Sequence, residues 1–286
     1  MHWPAKLVKM QIAEHLNVIL KSKRLIFLAF MSFVLVGCST TDSGRAQLTM
    51  KSDTQLELDA KRNFEMMREN LPLVQDRATI DYVACVANAL VEVMDDDAAQ
   101  MYWELAIFNQ PVVNATVMPG GKISVYAGLL GMVENQDQLA SVLGHEMAHA
   151  TARHTNERAT RAEISDVGID IAALILGGGY YNRTQGIYSA MKSAEDLGLN
   201  KPFSRLHETE ADEIGLIYMA RAGFDPRESV NLWKNMAAAN QTKVPEMMST
   251  HPSDESRLEA HIKQLPEALV VYNQAKADGR EPDCQR

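Results

Sequence analysis

Between Cys38 and Arg286 the sequence holds no apolar run long enough to cross a bilayer as a helix. The nearest approach, Ile171-Ala-Ala-Leu-Ile-Leu176, is short and is cut off by Gly177-Gly-Gly179. Basic charge is scarce too. Of the 286 residues, 28 are Lys or Arg and 37 are Asp or Glu, a net charge of −9. Setting aside residues 1–37, which hold five basic residues and one acidic, leaves 23 against 36, a net of −13. A chain this acidic is a poor candidate for nucleic acid or anionic lipid, since phosphate binding depends on clustered Lys and Arg. Sequence repeats are also missing: the helical patterns over Arg227 to Ala239, Asp254 to Gln264 and Glu267 to Lys276 are too few and too dissimilar for a repeat array. Cysteine occurs three times, at 38, 85 and 284.

What precedes Cys38 is of another kind. Lys21, Lys23 and Arg24 lead into Leu25 to Val36, a charge-free stretch with the length of a signal-peptide core, which runs into Leu35-Val36-Gly37-Cys38. That ending resembles the bacterial lipoprotein signal, which implies cleavage before Cys38 and lipidation of its thiol. The next residue is Ser39, and the absence of Asp there resembles the pattern sent to the outer membrane of Gram-negative cells. The basic region before the apolar core is long enough to suggest an upstream start codon. The expected organisation is a removed signal over 1–37, a lipidated tether over 38–52, a domain over 53–277 and a polar tail over 278–286. The membrane would be reached through the lipid alone. Export places Cys85 and Cys284 in an oxidising compartment, where an even pair reads as a disulfide, with two separate thiols as the alternative.

The chemistry starts at Val142-Leu-Gly-His-Glu-Met-Ala-His-Ala150. A helix turns about 100° per residue, so His145 and His149 stand one above the other on one face. Two neutral imidazoles so placed can share one Zn²⁺ and leave a coordination position for water, from which Glu146, at the edge of that face, can take a proton. Leu139, Val142, Leu143, Met147 and Ala150 give the helix an apolar stripe, and histidines on a buried helix need partners. Asn135 reads as its N-cap with Gln138 three residues on, and the helix is expected to run past Arg153.

Ahead of it, helices are expected over Asp53 to Asn70 and Gln75 to Met94. The acidic run Asp95 to Asp97 has either a calcium-like look or the plainer role of a solvated turn. Met101 to Phe108, Val112 to Val117 and Lys122 to Ala127 read as three strands, mostly antiparallel, with a turn at Pro119-Gly120-Gly121. The fold class is therefore α+β, mainly α, with a small sheet beside the helix that carries the histidines.

Two histidines leave a zinc site incomplete. His154 follows His149 by five residues, about 140° around a continuing helix, and reads as a surface residue. Ser204-Arg-Leu-His-Glu-Thr-Glu-Ala-Asp212, whose Glu208 lies 59 residues after His149, does better. Glu208 and Asp212 share a helical face, so Glu208 suits the third ligand and Asp212 can accept from the outer nitrogen of a zinc-bound imidazole, fixing its tautomer. Glu210 points elsewhere, and Ala211 permits close helix approach.

These motifs, in this order, resemble the zinc metalloendopeptidase family of HtpX-type membrane proteases, CAAX prenyl endopeptidases and periplasmic outer-membrane quality-control proteases. The chain is most similar in kind to the last group. The resemblance runs from about Leu56 to Leu265 and includes Asn114 to Leu130, Thr250-His251-Pro252 and Arg257. It implies a gluzincin-type core with one zinc on His145, His149 and Glu208, and Glu146 as general base. It implies an edge strand at Asn114, Ala115, Thr116 and Val117 that holds extended peptide by main-chain hydrogen bonds. His251 is implied as a fourth ligand that could hold the enzyme latent, or else as an ordinary loop histidine. Arg257 would stabilise an oxyanion or pair with an acid. Residues 166–202 read as a lid or a helical hairpin. The implied substrates are unfolded or misassembled envelope proteins. The rival readings are a chaperone-like binder of such chains and a zinc hydrolase of peptidoglycan peptides.

Overall fold

The computed structural model describes residues 38–41, 43–164, 201–239, 247, 251 and 255–286. The leader over 1–37 and nearly all of the excursion expected over 166–202 lie outside them.

Two strands, β1 (Cys38–Thr40) and β2 (Ala46–Leu48), form an antiparallel hairpin. Helices α1 (Asp53–Asn70) and α2 (Arg77–Val91) follow, each begun by a side chain that accepts a backbone N–H: Ser52 from Gln55 and Asp76 from Thr79. After the short α3 (Asp96–Ala99) come β3 (Glu104–Phe108), β4 (Ala115–Met118) and β5 (Lys122–Tyr126). The turn between β4 and β5 needs two consecutive residues with positive φ, and Gly120 and Gly121 supply them at 74° and 75°. A single turn, α4 (Ala127–Leu130), leads to the long α5 (Gln136–Thr151). After a further helical stretch over 154–164 come α6 (Lys201–Arg221), α7 (Arg227–Ala239) and α8 (Glu255–Ala277).

The sheet order is β3-β5-β4. β4 pairs antiparallel with β5, but β3 pairs parallel with it, so the sheet is mixed and the expectation of a mostly antiparallel sheet is corrected. The cause is the connection: β3 reaches β5 only after the chain has crossed to the far edge and turned back through β4. That route also makes β4 an edge strand beside α5. Phe64 of α1 packs against Ala106 and Phe108 on one face of the sheet. Ile107, Ala115, Ile123 and Val125 meet α2, α5 and α6 in the main core. Leu139, Val142, Leu143 and Met147 of α5 are fully or almost fully buried. Each such side chain contributes about 1.5–3 kcal/mol by leaving water, which fixes the helix against the sheet.

Three further expectations change. Residues 38–52 are no free tether, because Thr41 and Gln47 are buried and the hairpin is docked on the domain. Pro266 does not separate two helices: α8 continues through it, with Ala268 fully buried on the far side. Packing of that far turn outweighs the one backbone hydrogen bond a proline forfeits. Finally, α5 stops at Thr151. Arg153 takes a positive φ of 56°, and helical backbone resumes over 154–164.

The tail is docked as well. Cys85 of α2 and Cys284 form a disulfide across a separation of 199 residues. In the chain-entropy description, closing so long a loop destabilises the unfolded state by about 5 kcal/mol. Gln136 donates to Pro282 O and accepts from Cys284 N, both at 2.8 Å, so the tail is fastened to the first turn of α5.

Candidate metal centre

α5 and α6 cross where Gly144 faces Gly215. A Cβ on Gly215 would stand 2.7 Å from the His145 nitrogen, and one on Gly144 would stand 2.9 Å from the Gly215 carbonyl oxygen. This glycine contact, one turn along α6 from the small residue Ala211, lets the two backbones touch. It brings the histidines of one helix within reach of the carboxylate of the other.

His145, His149, Glu208 and His251 offer ligand atoms that all lie within 4.8 Å of one another. The Nε2 atoms of His145 and His149 are 3.1 Å apart, and each is 3.4 Å from a Glu208 oxygen. His251 places Nδ1 3.0 Å from Glu208 and Nε2 3.3 Å from Glu146 Oε1. The latter approach lacks hydrogen-bond geometry, and Glu146 Oε1 is buried without a hydrogen-bond partner.

The outer nitrogens decide the tautomers. His145 Nδ1 lies 2.9 Å from Asp212 Oδ1, an atom that accepts only, so His145 donates through Nδ1 and its Nε2 faces the cluster. Asp212 is itself gripped by Arg257, whose Nε and Nη2 donate to its two oxygens at 2.9 Å each. The Arg257 guanidinium also lies 3.2 Å from Glu208 and over the Trp233 ring, at 5.1 Å. Of the two roles expected for Arg257, pairing with acids is the one its contacts fill. Burial raises the Asp212 pKa, but His145 and Arg257 outweigh it and hold the carboxyl down at about 2. Burial likewise disfavours a charge on His145, yet Asp212 and Glu208 push it up to about 10. His149 goes the other way: burial, reinforced by the His145 charge, holds it well below the ordinary histidine range. Glu208 stays ionised, its desolvation outweighed by the three histidines around it.

His154 is the main correction to the sequence reading. It is fully buried, and its Nδ1 lies 2.9 Å from His149 Nδ1. On an unbroken helix His154 would face away from His149. The left-handed residue Arg153 breaks the phase and turns His154 inward. Sequence reasoning also passed over Glu210, which lies 3.1 Å from His154 Nε2, and over the glycine crossing. Glycines inside the apolar pattern of two helices were the available signal for the crossing. Asn114 immediately precedes β4, and Ala115, Thr116 and Val117 lie on it; among the described residues β4 pairs with β5 alone.

This donor set suits zinc: two imidazoles with Nε2 inward, a carboxylate whose charge the site already balances, and a further imidazole at the rim. Helices crossing so that His-Glu-x-x-His meets a glutamate define a zinc metallopeptidase with a gluzincin-like core. Residues 78–264 match the family model of peptidase family M48, whose members use zinc. The chain belongs to that family. It is 36% identical over 229 residues to mitochondrial metalloendopeptidase OMA1 of Schizosaccharomyces pombe, covering 77% of this chain and 64% of that protein. To the human mitochondrial metalloendopeptidase OMA1 it is 32% identical over 243 residues, 80% of this chain and 46% of that one. To the beta-barrel assembly-enhancing protease of Yersinia pestis it is 29% identical over 198 residues, 67% of this chain and 40% of that one. The chain thus spans only part of these relatives, from 34% of the Arabidopsis thaliana OMA1 to 64% of the fission yeast protein.

Proposed function

We propose that the protein is a zinc-dependent endopeptidase that cuts unfolded or misassembled proteins of a bacterial envelope, to which it is held by a lipid on Cys38. The observation that carries the peptidase reading is the cluster of His145, His149 and Glu208 with the buried Glu146 Oε1 beside it. In this reading His145, His149 and Glu208 hold the zinc. Bound there, zinc supplies Lewis acidity that polarises a peptide carbonyl and acidifies water. Glu146 takes the proton from the attacking water and delivers it to the leaving amine. Asp212 keeps His145 in the ligating tautomer.

Substrate enters as an extended strand along β4, whose outer edge pairs with no other described strand. Asn114 supports this, since its side-chain oxygen is buried without a hydrogen-bond partner and a peptide N–H would satisfy it. Main-chain pairing tolerates many sequences, as a scavenger of misfolded chains requires. The envelope setting draws on the Leu35-Val-Gly-Cys38 signal and on the likeness to the Yersinia pestis protein. The mitochondrial relatives are equally compatible with the same chemistry in another compartment.

A second reading has its own observation. His251 lies against both Glu208 and Glu146, so the resting enzyme is latent, with His251 as a fourth ligand that excludes water, and it binds unfolded chains more often than it cuts them. Zinc-loaded wild type, Glu146→Gln and His251→Ala, assayed on an unfolded protein such as reduced casein, separate the two. The expected results are a loss of at least 10³-fold for Glu146→Gln with zinc retained and a gain for His251→Ala. Cleavage by Glu146→Gln at the wild-type rate would overturn the peptidase role of Glu146.

A further inference from the structure

Behind His149, on the side away from Glu208, lies a buried polar chain that the zinc-peptidase reading does not use. His149 Nδ1 meets His154 Nδ1 at 2.9 Å, and His154 Nε2 meets Glu210 Oε2 at 3.1 Å. Glu210 is in turn enclosed by the N-terminal hairpin. Arg45 Nε donates to its Oε2 at 2.7 Å, and the hydroxyls of Thr41 and Ser43 donate to its Oε1. The same Arg45 bridges to Glu157 through Nη1 and Nη2, at 3.2 and 2.8 Å, and Glu157 also receives Arg161. His207 stacks on His154 with ring centroids 4.4 Å apart, which fixes the plane of the imidazole.

Proton directions along this chain follow from the acceptor at its end. An ionised Glu210 only accepts, so His154 donates from Nε2. A neutral His154 then has a bare Nδ1, which accepts, and His149 must be the donor at its own Nδ1. That leaves the lone pair of His149 on Nε2, facing Glu208 and His145. Were His154 to donate from Nδ1 as well, His149 would carry its proton on Nε2 and could not ligate.

We propose that His154 and Glu210 are positioning residues for His149, and that the hairpin over residues 38–48 is part of the metal site because Arg45, Thr41 and Ser43 lock Glu210. The proposal rests on His149 being a zinc ligand, as in the reading above. It gives the segment that begins at Cys38 a task other than tethering: displacing the hairpin frees Glu210, lets His154 turn, and loosens one of the ligands.

The test measures metal affinity in the full chain, by competition with a chromophoric chelator, together with the visible absorption of the Co²⁺-loaded protein. His154→Leu fills the space and removes both hydrogen bonds, and zinc affinity is expected to fall about 10–100-fold, with an altered cobalt spectrum. His154→Gln keeps an acceptor and a donor on one side chain and should recover most of the loss. Glu210→Gln and Arg45→Gln, which leave His154 in place, should give intermediate losses of about tenfold or less, in that order. Melting of the chelated proteins separates folding from ligand positioning. If His154→Leu and Glu210→Gln bind zinc as the wild type does while melting lower, the network is merely structural and the proposal falls. Equal losses for His154→Leu and His154→Gln would overturn the proton directions. Because the readout is affinity, a wild type that binds zinc but cuts no protein refutes the endopeptidase reading and leaves the positioning role of His154 and Glu210 intact.

Discussion

The two helical histidines are held from behind in different ways. His145 leans on Asp212 directly, and Asp212 is clamped by Arg257. His149 leans on another histidine, which leans on Glu210, which is clamped by Arg45 from the hairpin. Both lines end in an arginine–carboxylate pair, but the first is built within three helices, α5, α6 and α8, and the second recruits the hairpin of β1 and β2. A direct carboxylate holds the tautomer and adds charge to the ligand. An inserted imidazole holds the tautomer while keeping the charge one ring farther away. The difference appears in the protonation of the pair, with His145 pushed up to about 10 and His149 held well below its ordinary range.

The largest effect should come from breaking the direct line. Asp212→Ala removes the acceptor for His145 Nδ1–H and strips the buried Arg257 of its two-point carboxylate partner. Loss of one member of a buried ion pair costs about 3–5 kcal/mol. Urea unfolding of the zinc-loaded protein should show a loss in that range, and zinc content should drop below one per chain. A smaller loss than that of His154→Leu would reverse the ranking of the two lines.

Next comes a change that touches neither line. Replacing Cys85 and Cys284 together by Ser should lower stability by about 2–5 kcal/mol through the unfolded state. The zinc affinity of the folded protein should stay within about threefold of wild type, a ratio worth less than 1 kcal/mol. A tenfold fall in affinity, read by chelator competition, would mean that the tail supports the ligands through α5.

Gly215→Ala should act on both lines at once. Its Cβ would fall 2.7–2.8 Å from backbone atoms of Gly144 and His145, so α6 must move away from α5 and carry Glu208 and Asp212 with it. Overpacking of this kind costs about 1–3 kcal/mol. The mark of the crossing would be a fall in zinc affinity alongside the lower melting temperature. Unchanged affinity would show that the site tolerates helix separation.

The asymmetry of the two lines is also an asymmetry of what the sequence reveals. Asp212 and Glu208 lie on the same helix, four residues apart, so their shared face is a matter of periodicity and was legible as soon as α6 was recognised, whereas the grip of Arg257 on Asp212 was not. His154 and Glu210 were both visible as residue types, but His154 was placed by a helix phase that Arg153 interrupts, and Glu210 was weighed only against Glu208 on its own helix. A non-glycine residue in the left-handed region leaves almost no trace in sequence. Arg45 was illegible for a different reason: its partners lie 112 and 165 residues away, and a short polar segment after a lipoprotein-like signal looks like a tether whatever it docks on. The parallel pairing of β3 with β5 and the continuity of α8 through Pro266 were decided by tertiary packing, which overrides local propensity. The disulfide, by contrast, needed only an even pair of cysteines and the expectation of export.

The smallest effect per step is a proton count, and it sharpens the comparison most directly. In the chelated protein His145 carries a proton on the nitrogen that faces Glu208, since its pKa lies at about 10, while His149 is neutral. Zinc uptake near pH 8 should therefore release one proton, from the His145 line only. Affinity should rise tenfold per pH unit, about 1.4 kcal/mol, up to about pH 10 and then level off. The same raised pKa sets the sign for folding without metal. Its contribution is fully present below about 6.5, the unfolded histidine value, and is lost as pH rises through about 10. The melting temperature of the chelated protein should fall over that window and that of the zinc-loaded protein should not. Calorimetric titration in buffers of different ionisation heat gives the count. Two protons would mean that His149 is held like His145, and none would mean that Asp212 fixes the tautomer of His145 without charging it.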